Sequence, residues 1–340
     1  MTVPSHADVI VLARRPGPAV LPGDLAVERR RVRPPGPGEV VVRNVVTSVD
    51  PYQLSMLRGA TDVATVCVGD PVPASSVGIV VQSQDPHVPD GTQVATYTGW
   101  QAYATTRIGP TEVADPRLGG PVEWLSVLGP AGVAAYVGVH DVGHLQPGGT
   151  MLVSAASGGV GGVAVQLGKA AGARVIAIAG GRARTGHAVW VLGADVAVDY
   201  LGPAFAQQLR QAAGPGADVF FDNVGGRQLT LALSVLKHYG RVVLCGSVSS
   251  YARPDDPAGA ADLTAAVCRR ITLQGYIASD YYPGRLKPVR EELGALLHAN
   301  RIRAVVSEFH GLDSAPRALA AVFDRGSAQP GKRVVRITDG

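Results

Sequence analysis

The chain has 340 residues, 46% hydrophobic and 17% charged, with a net charge of +4, which suits two domains with ample cores. Three widely spaced cysteines, Cys67, Cys245 and Cys268, exclude a disulfide framework and fit a reduced, cytoplasmic protein. No apolar run reaches membrane-spanning length, residues 1–15 lack the pattern of an export signal, and no Cys-x-x-Cys or His-Glu-x-x-His occurs, so neither a membrane nor a metal is expected.

Residues 1–120 are rich in Val, Pro and Gly, with short apolar runs at 40–46, 77–81 and 92–98. Turn signals such as Pro34-Pro35-Gly36-Pro37-Gly38 and Asp90-Gly91 separate these runs, which reads as an all-β unit. The basic cluster at 29–33 has no aromatic partners and no DNA-binding motif around it, so nucleic acid is not expected. After about Gly120 the pattern changes to short buried strands alternating with helix-length segments. The strands fall at 151–155, 174–179, 218–221, 241–245 and 272–276, with helices at 160–171 and 226–238. Strand, helix, strand in succession predicts an α/β, doubly wound parallel sheet. A last strand is expected at 333–337.

The most informative stretch is Ser154-Ala155-Ala156-Ser157-Gly158-Gly159-Val160-Gly161-Gly162, which follows one predicted strand and opens a helix. Glycines permit a tight turn and let backbone approach a pyrophosphate, which then meets the free N–H groups of the helix N-terminus. Val160, Val163, Ala164, Leu167 and Ala171 share one helix face. In NAD-binding domains an acidic residue near the end of the next strand holds the ribose hydroxyls. Here that strand runs into Gly180-Gly181-Arg182-Ala183-Arg184, and no Asp or Glu occurs between Asp141 and Asp195. Guanidinium groups suit a 2′-phosphate, so NADP(H) is expected rather than NAD(H).

Several stretches together resemble the zinc-independent medium-chain dehydrogenase/reductases, in the group of prostaglandin, alkenal double-bond and curcumin reductases. They are Ser48-Val49-Asp50-Pro51-Tyr52, Gly132-Val133-Ala134-Ala135-Tyr136, the glycine turn, Phe221-Asp222-Asn223-Val224-Gly225-Gly226, Cys245-Gly246-Ser247-Val248-Ser249, and Gln274-Gly275-Tyr276 with Ser279-Asp280-Tyr281-Tyr282. The resemblance runs from about Val40 to Ile337. It implies a Rossmann domain at 123–301 inserted into a β-rich, GroES-like catalytic domain at 1–122 and 302–340, and a homodimer. It implies cofactor contacts from Ala155, Ser157, Gly158, Gly159, Val160, Gly161, Gly180, Gly181, Arg182, Arg184, Tyr200, Asn223, Cys245, Gly246, Ser247 and Gln329. Arg184 takes the place of a phosphate-binding lysine, and Tyr200 that of a tyrosine near the adenosine phosphate. Three positions depart from the group's pattern. Ala134 replaces its usual Thr, Gln329-Pro330-Gly331-Lys332 replaces Asn-x-Gly-Lys, and the arginine that commonly follows Asp50-Pro51-Tyr52 is missing.

The activity implied is hydride transfer from NADPH to the β-carbon of an α,β-unsaturated carbonyl, an enone or enal, without metal. Negative charge then develops on the carbonyl oxygen, where a phenol can donate a hydrogen bond and stay protonated at neutral pH. Tyr282, Tyr281 and Tyr52 are the candidate donors. The loops 248–258 and 279–285 are expected to shape the pocket. His140, His144 and His187 stand singly and suit structural roles, and Cys245 suits a small buried residue better than a nucleophile. No Tyr-x-x-x-Lys or Gly-x-Ser-x-Gly occurs, which disfavours a short-chain dehydrogenase or an α/β-hydrolase. An NADPH:quinone reductase of the same superfamily and a non-catalytic NADPH-binding sensor are the alternatives.

Overall fold

Valine-rich runs and the turns between them build the first strands. They are β1 (His6–Leu12), β2 (Leu25–Arg31), β3 (Val40–Val49), β4 (Ser76–Ser83), β5 (Gln93–Thr96) and β6 (Tyr103–Thr106). The computed structural model describes residues 2–21, 23–59, 65–251, 263–324 and 329–337. Residues 252–258 of the loop expected to shape the pocket lie outside the described residues. The chain divides into two compact units, Met1–Gly129 with Val306–Ser327 and Lys332–Gly340, and Pro130–Val305 with Ala328–Gly331.

The second unit carries β7 (Thr150–Val153), β8 (Arg174–Ala179), β9 (Val196–Asp199), β10 (Ala217–Asp222), β11 (Leu236–Leu244) and β12 (Thr272–Gly275). They form one sheet in the order β12-β11-β10-β7-β8-β9, and every pairing is parallel. This is the doubly wound arrangement, with the winding reversing between β7 and β10. Parallel strands covered on both faces are apolar along their length, as Val175–Ala179 and Val219–Phe221 are here. Leu152, Ile176, Ile178, Phe205, Phe220 and Val242 pack into one core cluster. The helix Gly159–Ala170 is buried from Gly161 to Gly168, a wider contact than the single face read from the sequence.

One expected element changes identity partway. The helix at 226–238 ends at Leu233, and Leu236 already belongs to β11. Ser234 turns its hydroxyl onto Leu231 O at 2.7 Å and closes the helix. Leu236 pairs with Ala217, the register then shifts between Ala217 and Val219, and Tyr239 adopts a positive φ of 62°. Such a bulge interrupts the strand signal, so only its second half reads as a strand in the sequence.

The chain closes the first unit with β13 (Val306–His310) and β14 (Lys332–Arg336). Its main sheet runs β13-β14-β3-β4-β5, with β6 on β3, and β1 and β2 form a separate antiparallel pair. Val40, Val42, Val80, Val88, Val94 and Ile108 pack together on this sheet.

Candidate functional site

The site in the second unit is built where β7 and β10 end side by side. Ser154 is fully buried, and its hydroxyl donates to Asp222 Oδ1 at 2.8 Å while accepting the Asn223 N–H at 2.8 Å. Asn223 Nδ2 donates to Ser154 O at 2.7 Å. The Asp222 carboxylate also accepts the N–H groups of Val224 and Gly225 at 2.9 and 3.1 Å. Burial pushes the Asp222 carboxyl above the usual carboxylate range, against the pull of these N–H groups and of the Ser154 hydroxyl. A buried carboxylate with this many donors is a joint, fixing the turn after β7 to the loop after β10.

The glycine turn is held as firmly. The Ala156 N–H donates to Ile178 O at 3.1 Å, the Gly158 N–H to Ala155 O at 2.9 Å, and the Gly331 N–H to Ser157 O at 2.7 Å. Ala155 itself takes a positive φ of 47°. A Cβ on Gly161 would run into the Ala155 carbonyl oxygen and lie 2.8 Å from its carbon, so helix and turn touch backbone to backbone. Gly159, Val160 and Gly161 make up the first helical residues, whose N–H groups find no carbonyl within the helix. These are the features that a pyrophosphate requires, and the turn fits a dinucleotide.

Gly180, Gly181, Arg182, Arg184 and Tyr200 form a second group, past the end of β8. A Cβ on Gly180 would lie 2.9 Å from the Tyr200 ring, so glycine is what lets this ring close on the loop. Arg182 is exposed and Arg184 half-buried on the first turn of the helix Gly181–Trp190. Asp199, at the end of β9, accepts the Gly181 N–H at 2.8 Å. The sequence reading sought an acidic residue on the second strand and missed this one, on the third.

Past the end of β11, the Cys245 and Gly246 N–H groups donate to Asp222 O at 2.8 and 3.2 Å. The Val248 N–H reaches Asn223 O at 3.1 Å, and Ser249 bonds Val224 O through both backbone and hydroxyl. Cys245 and Gly246 are therefore tied to the same joint as Asn223 and the glycine turn. Burial raises the Cys245 thiol to about 11, which agrees with a packing residue. Tyr251, absent from the candidates read from the sequence, closes this loop. Its phenol oxygen accepts the Ser247 N–H at 3.2 Å, and burial raises its pKa. It lies two residues beyond the Cys245–Ser249 motif, and a tyrosine two residues past that motif was the available signal.

Tyr276 lies beside this joint, its phenol hydrogen-bonded with the Cys245 thiol. Tyr281 meets Tyr276 edge-on with ring centroids 6.4 Å apart, and Tyr276 donates to Ala134 O at 2.6 Å. Tyr282 is half-buried, and that burial raises its phenol. Tyr52 belongs to the first unit, its hydroxyl 3.4 Å from that of Tyr97. Buried Lys332 reaches Asp50 Oδ1 at 2.8 Å and Val49 O at 3.0 Å, anchoring the turn that opens the helix Tyr52–Arg58. Gln329 is exposed.

The profile described as "Zinc-binding dehydrogenase" matches residues 159–294, and that described as "N-terminal domain of oxidoreductase" matches residues 9–112. Among the described residues no three His, Cys, Asp or Glu stand together as a metal-holding group, so zinc finds no donor set in them. The chain is 33% identical over 332 residues to the NADPH-dependent curcumin reductase of Escherichia coli, covering 96% of both chains. It is 33% identical to the NADP(+)-dependent 2-alkenal reductase of Nicotiana tabacum, over 90% of this chain and 89% of that one. The crystal structure of CurA from Vibrio vulnificus in complex with NADPH superposes with a TM-score of 0.90 at 32% identity, covering 98% of this chain and 100% of that one.

Proposed function

The chain belongs to the medium-chain dehydrogenase/reductase family, in its group of curcumin and alkenal reductases, and from that premise we propose that it is an NADPH-dependent reductase of carbon–carbon double bonds conjugated to a carbonyl. NADPH, when bound, supplies the hydride. The observation that carries the reading is the Ser154–Asp222–Asn223 joint, which ties the glycine turn and the Tyr251 loop to the carboxyl ends of adjacent parallel strands. Ligands of open α/β sheets bind at that end, where the winding reverses.

The residues then divide the work. Ala155, Ser157, Gly158, Gly159, Val160 and Gly161 bind the pyrophosphate through backbone. Gly180, Gly181, Arg182, Arg184 and Tyr200 hold the adenosine end. Asn223, Cys245, Gly246 and Ser247 border the nicotinamide, and Gln329 adds a contact from the segment tied to Ser157. Tyr251 Oη donates to the carbonyl oxygen of the substrate, where negative charge grows during reduction. Its oxygen already takes the Ser247 N–H, which polarises the O–H bond, and its raised pKa keeps the proton on it at neutral pH. Tyr282, Tyr281 and Tyr52 are the other phenols proposed for the substrate side. No zinc is used. We include a homodimer, formed through the sheet edge at β12, which is flanked in the chain by exposed Val267 on the helix Thr264–Arg269 and by exposed Ile277. A cytoplasmic site of action completes the proposal.

NADPH oxidation against a panel of enones, enals and quinones tests this, with Tyr251→Phe, Tyr282→Phe and Tyr52→Phe beside the wild type. Tyr251→Phe should lower kcat about 100-fold with NADPH affinity unchanged. Turnover of quinones alone, or NADPH binding without any turnover, overturns the proposal. An unchanged kcat in Tyr251→Phe removes that residue from it.

A further inference from the structure

β8 and β9 run parallel with Ala179 opposite Asp199. Asp199 is the last residue of β9, so its carboxylate stands over the loop in which β8 gives way to the helix Gly181–Trp190. A single oxygen, Oδ1, accepts two backbone donors, the Gly181 N–H at 2.8 Å and the Leu201 N–H at 2.9 Å. The Tyr200 N–H meanwhile donates to Ala179 O at 3.1 Å. Loop, strand end and ring are thus fixed to one another, with a negative charge at their centre. Among the described residues no lysine or arginine forms an ion pair with Asp199.

This arrangement has a consequence for any phosphate at the loop. The first N–H of a helix ordinarily faces an anion brought to it. At Gly181 that N–H is already spent on Asp199. A phosphate here has the side chains of Arg182, Arg184 and Tyr200 to hold it, and it meets the field of a fixed carboxylate. A ribose that carries only a hydroxyl meets no such opposition.

We propose that Asp199 is a specificity-determining residue, whose charge at the Gly180–Gly181 loop narrows the preference for a 2′-phosphorylated adenosine over an unphosphorylated one. The proposal rests on the reading that the chain binds a nicotinamide dinucleotide at this loop. Its probes are chosen so that the two can fail separately. They are 2′,5′-ADP, which carries the 2′-phosphate, and 5′-ADP, which lacks it.

Calorimetric titration of the full-length protein with each probe reads the effect without turnover. Asp199→Asn keeps an oxygen for the Gly181 N–H and removes the charge. It should tighten 2′,5′-ADP by about 3- to 10-fold, the size expected of one charge pair near a protein surface, and leave 5′-ADP within about two-fold. Asp199→Ser, a smaller uncharged acceptor, should likewise tighten 2′,5′-ADP and leave 5′-ADP within about two-fold. The gain should shrink as salt is raised, because screening removes the repulsion in the wild type. Equal shifts for both probes would reduce Asp199 to a helix cap and overturn the proposal, as would weaker binding of 2′,5′-ADP alone. Wild-type protein that binds neither probe would remove the dinucleotide reading, and the proposal with it. Wild-type protein that binds both, with variants of unchanged selectivity, would overturn the Asp199 proposal alone.

Discussion

Gly161 and Gly162 stand next to each other at the start of one helix, yet replacing them with alanine should have opposite effects. A Cβ on Gly162 would make ordinary contacts, 3.4 Å to Leu192 Cδ1 and 3.6 Å to Ala156 O. Alanine also loses less backbone entropy than glycine in a helix, which is worth about 0.5–1 kcal/mol. Gly162→Ala should therefore raise Tm by about 1–4 °C on the scale of about 2–4 °C per kcal/mol for a unit of this size. A Cβ on Gly161 meets backbone instead, 2.8 Å from Ala155 C and 3.1 Å from Ala156 Cα, besides the Ala155 oxygen. Carbon atoms pack at about 3.5–4.0 Å, so the turn must retreat by roughly half an ångström to one ångström. It cannot retreat freely, because Ala156 and Gly158 are held by the hydrogen bonds to Ile178 O and Ala155 O, and Ser157 by that from Gly331. Overpacking of this kind costs about 1–3 kcal/mol, and a displacement near one ångström at a binding turn can cost about 100-fold in function. Melting curves and NADPH titrations of the two variants provide the assay. Gly161→Ala should melt lower and bind NADPH at least about tenfold more weakly, while Gly162→Ala should bind as the wild type does. Equal effects in the two variants, or full NADPH affinity in Gly161→Ala, would refute the claim that the turn binds through close backbone contact.

Other parts of the molecule make separate predictions. Cys67 and Cys268 are exposed and Cys245 is not, its thiol raised to about 11, so a thiol reagent at neutral pH should modify two cysteines quickly and one slowly. The slow rate should climb about tenfold per pH unit below that value, and three equal rates would contradict the burial. Lys332→Met leaves Asp50, only 21% exposed, without its cation, and breaking such a pair costs about 3 kcal/mol, seen as a fall in Tm of roughly 6–12 °C. An unchanged Tm would show that the pair does not hold the Tyr52 turn in place.

Much of this was legible in the sequence because its cues are local. The glycine turn carries its strand, its conformational freedom and its helix within nine residues, and the parallel sheet follows from alternating apolar runs. What was hidden depends on residues brought together from a distance. Asp199 reaches the Gly181 loop through strand pairing, with Ala179 opposite it, so a search confined to the second strand could not find it. The standing of Tyr251 over Tyr281 and Tyr282 rests on a hydrogen bond from the Ser247 N–H, which no motif records. The strand β11 was read at half its length because the bulge at Tyr239 breaks its alternation. Lys332 and Asp50 form a pair 282 positions apart, visible only when β14 lies beside β3.

The central claim, that the chain reduces a conjugated double bond with NADPH, is tested most directly by the fate of the hydride. The enzyme should be given an α,β-unsaturated ketone and NADPH deuterated at the transferred position, and the product analysed by NMR. The expected product is a saturated ketone with deuterium on the β-carbon. An allylic alcohol with deuterium on the former carbonyl carbon, or recovery of the enone unchanged, would contradict it.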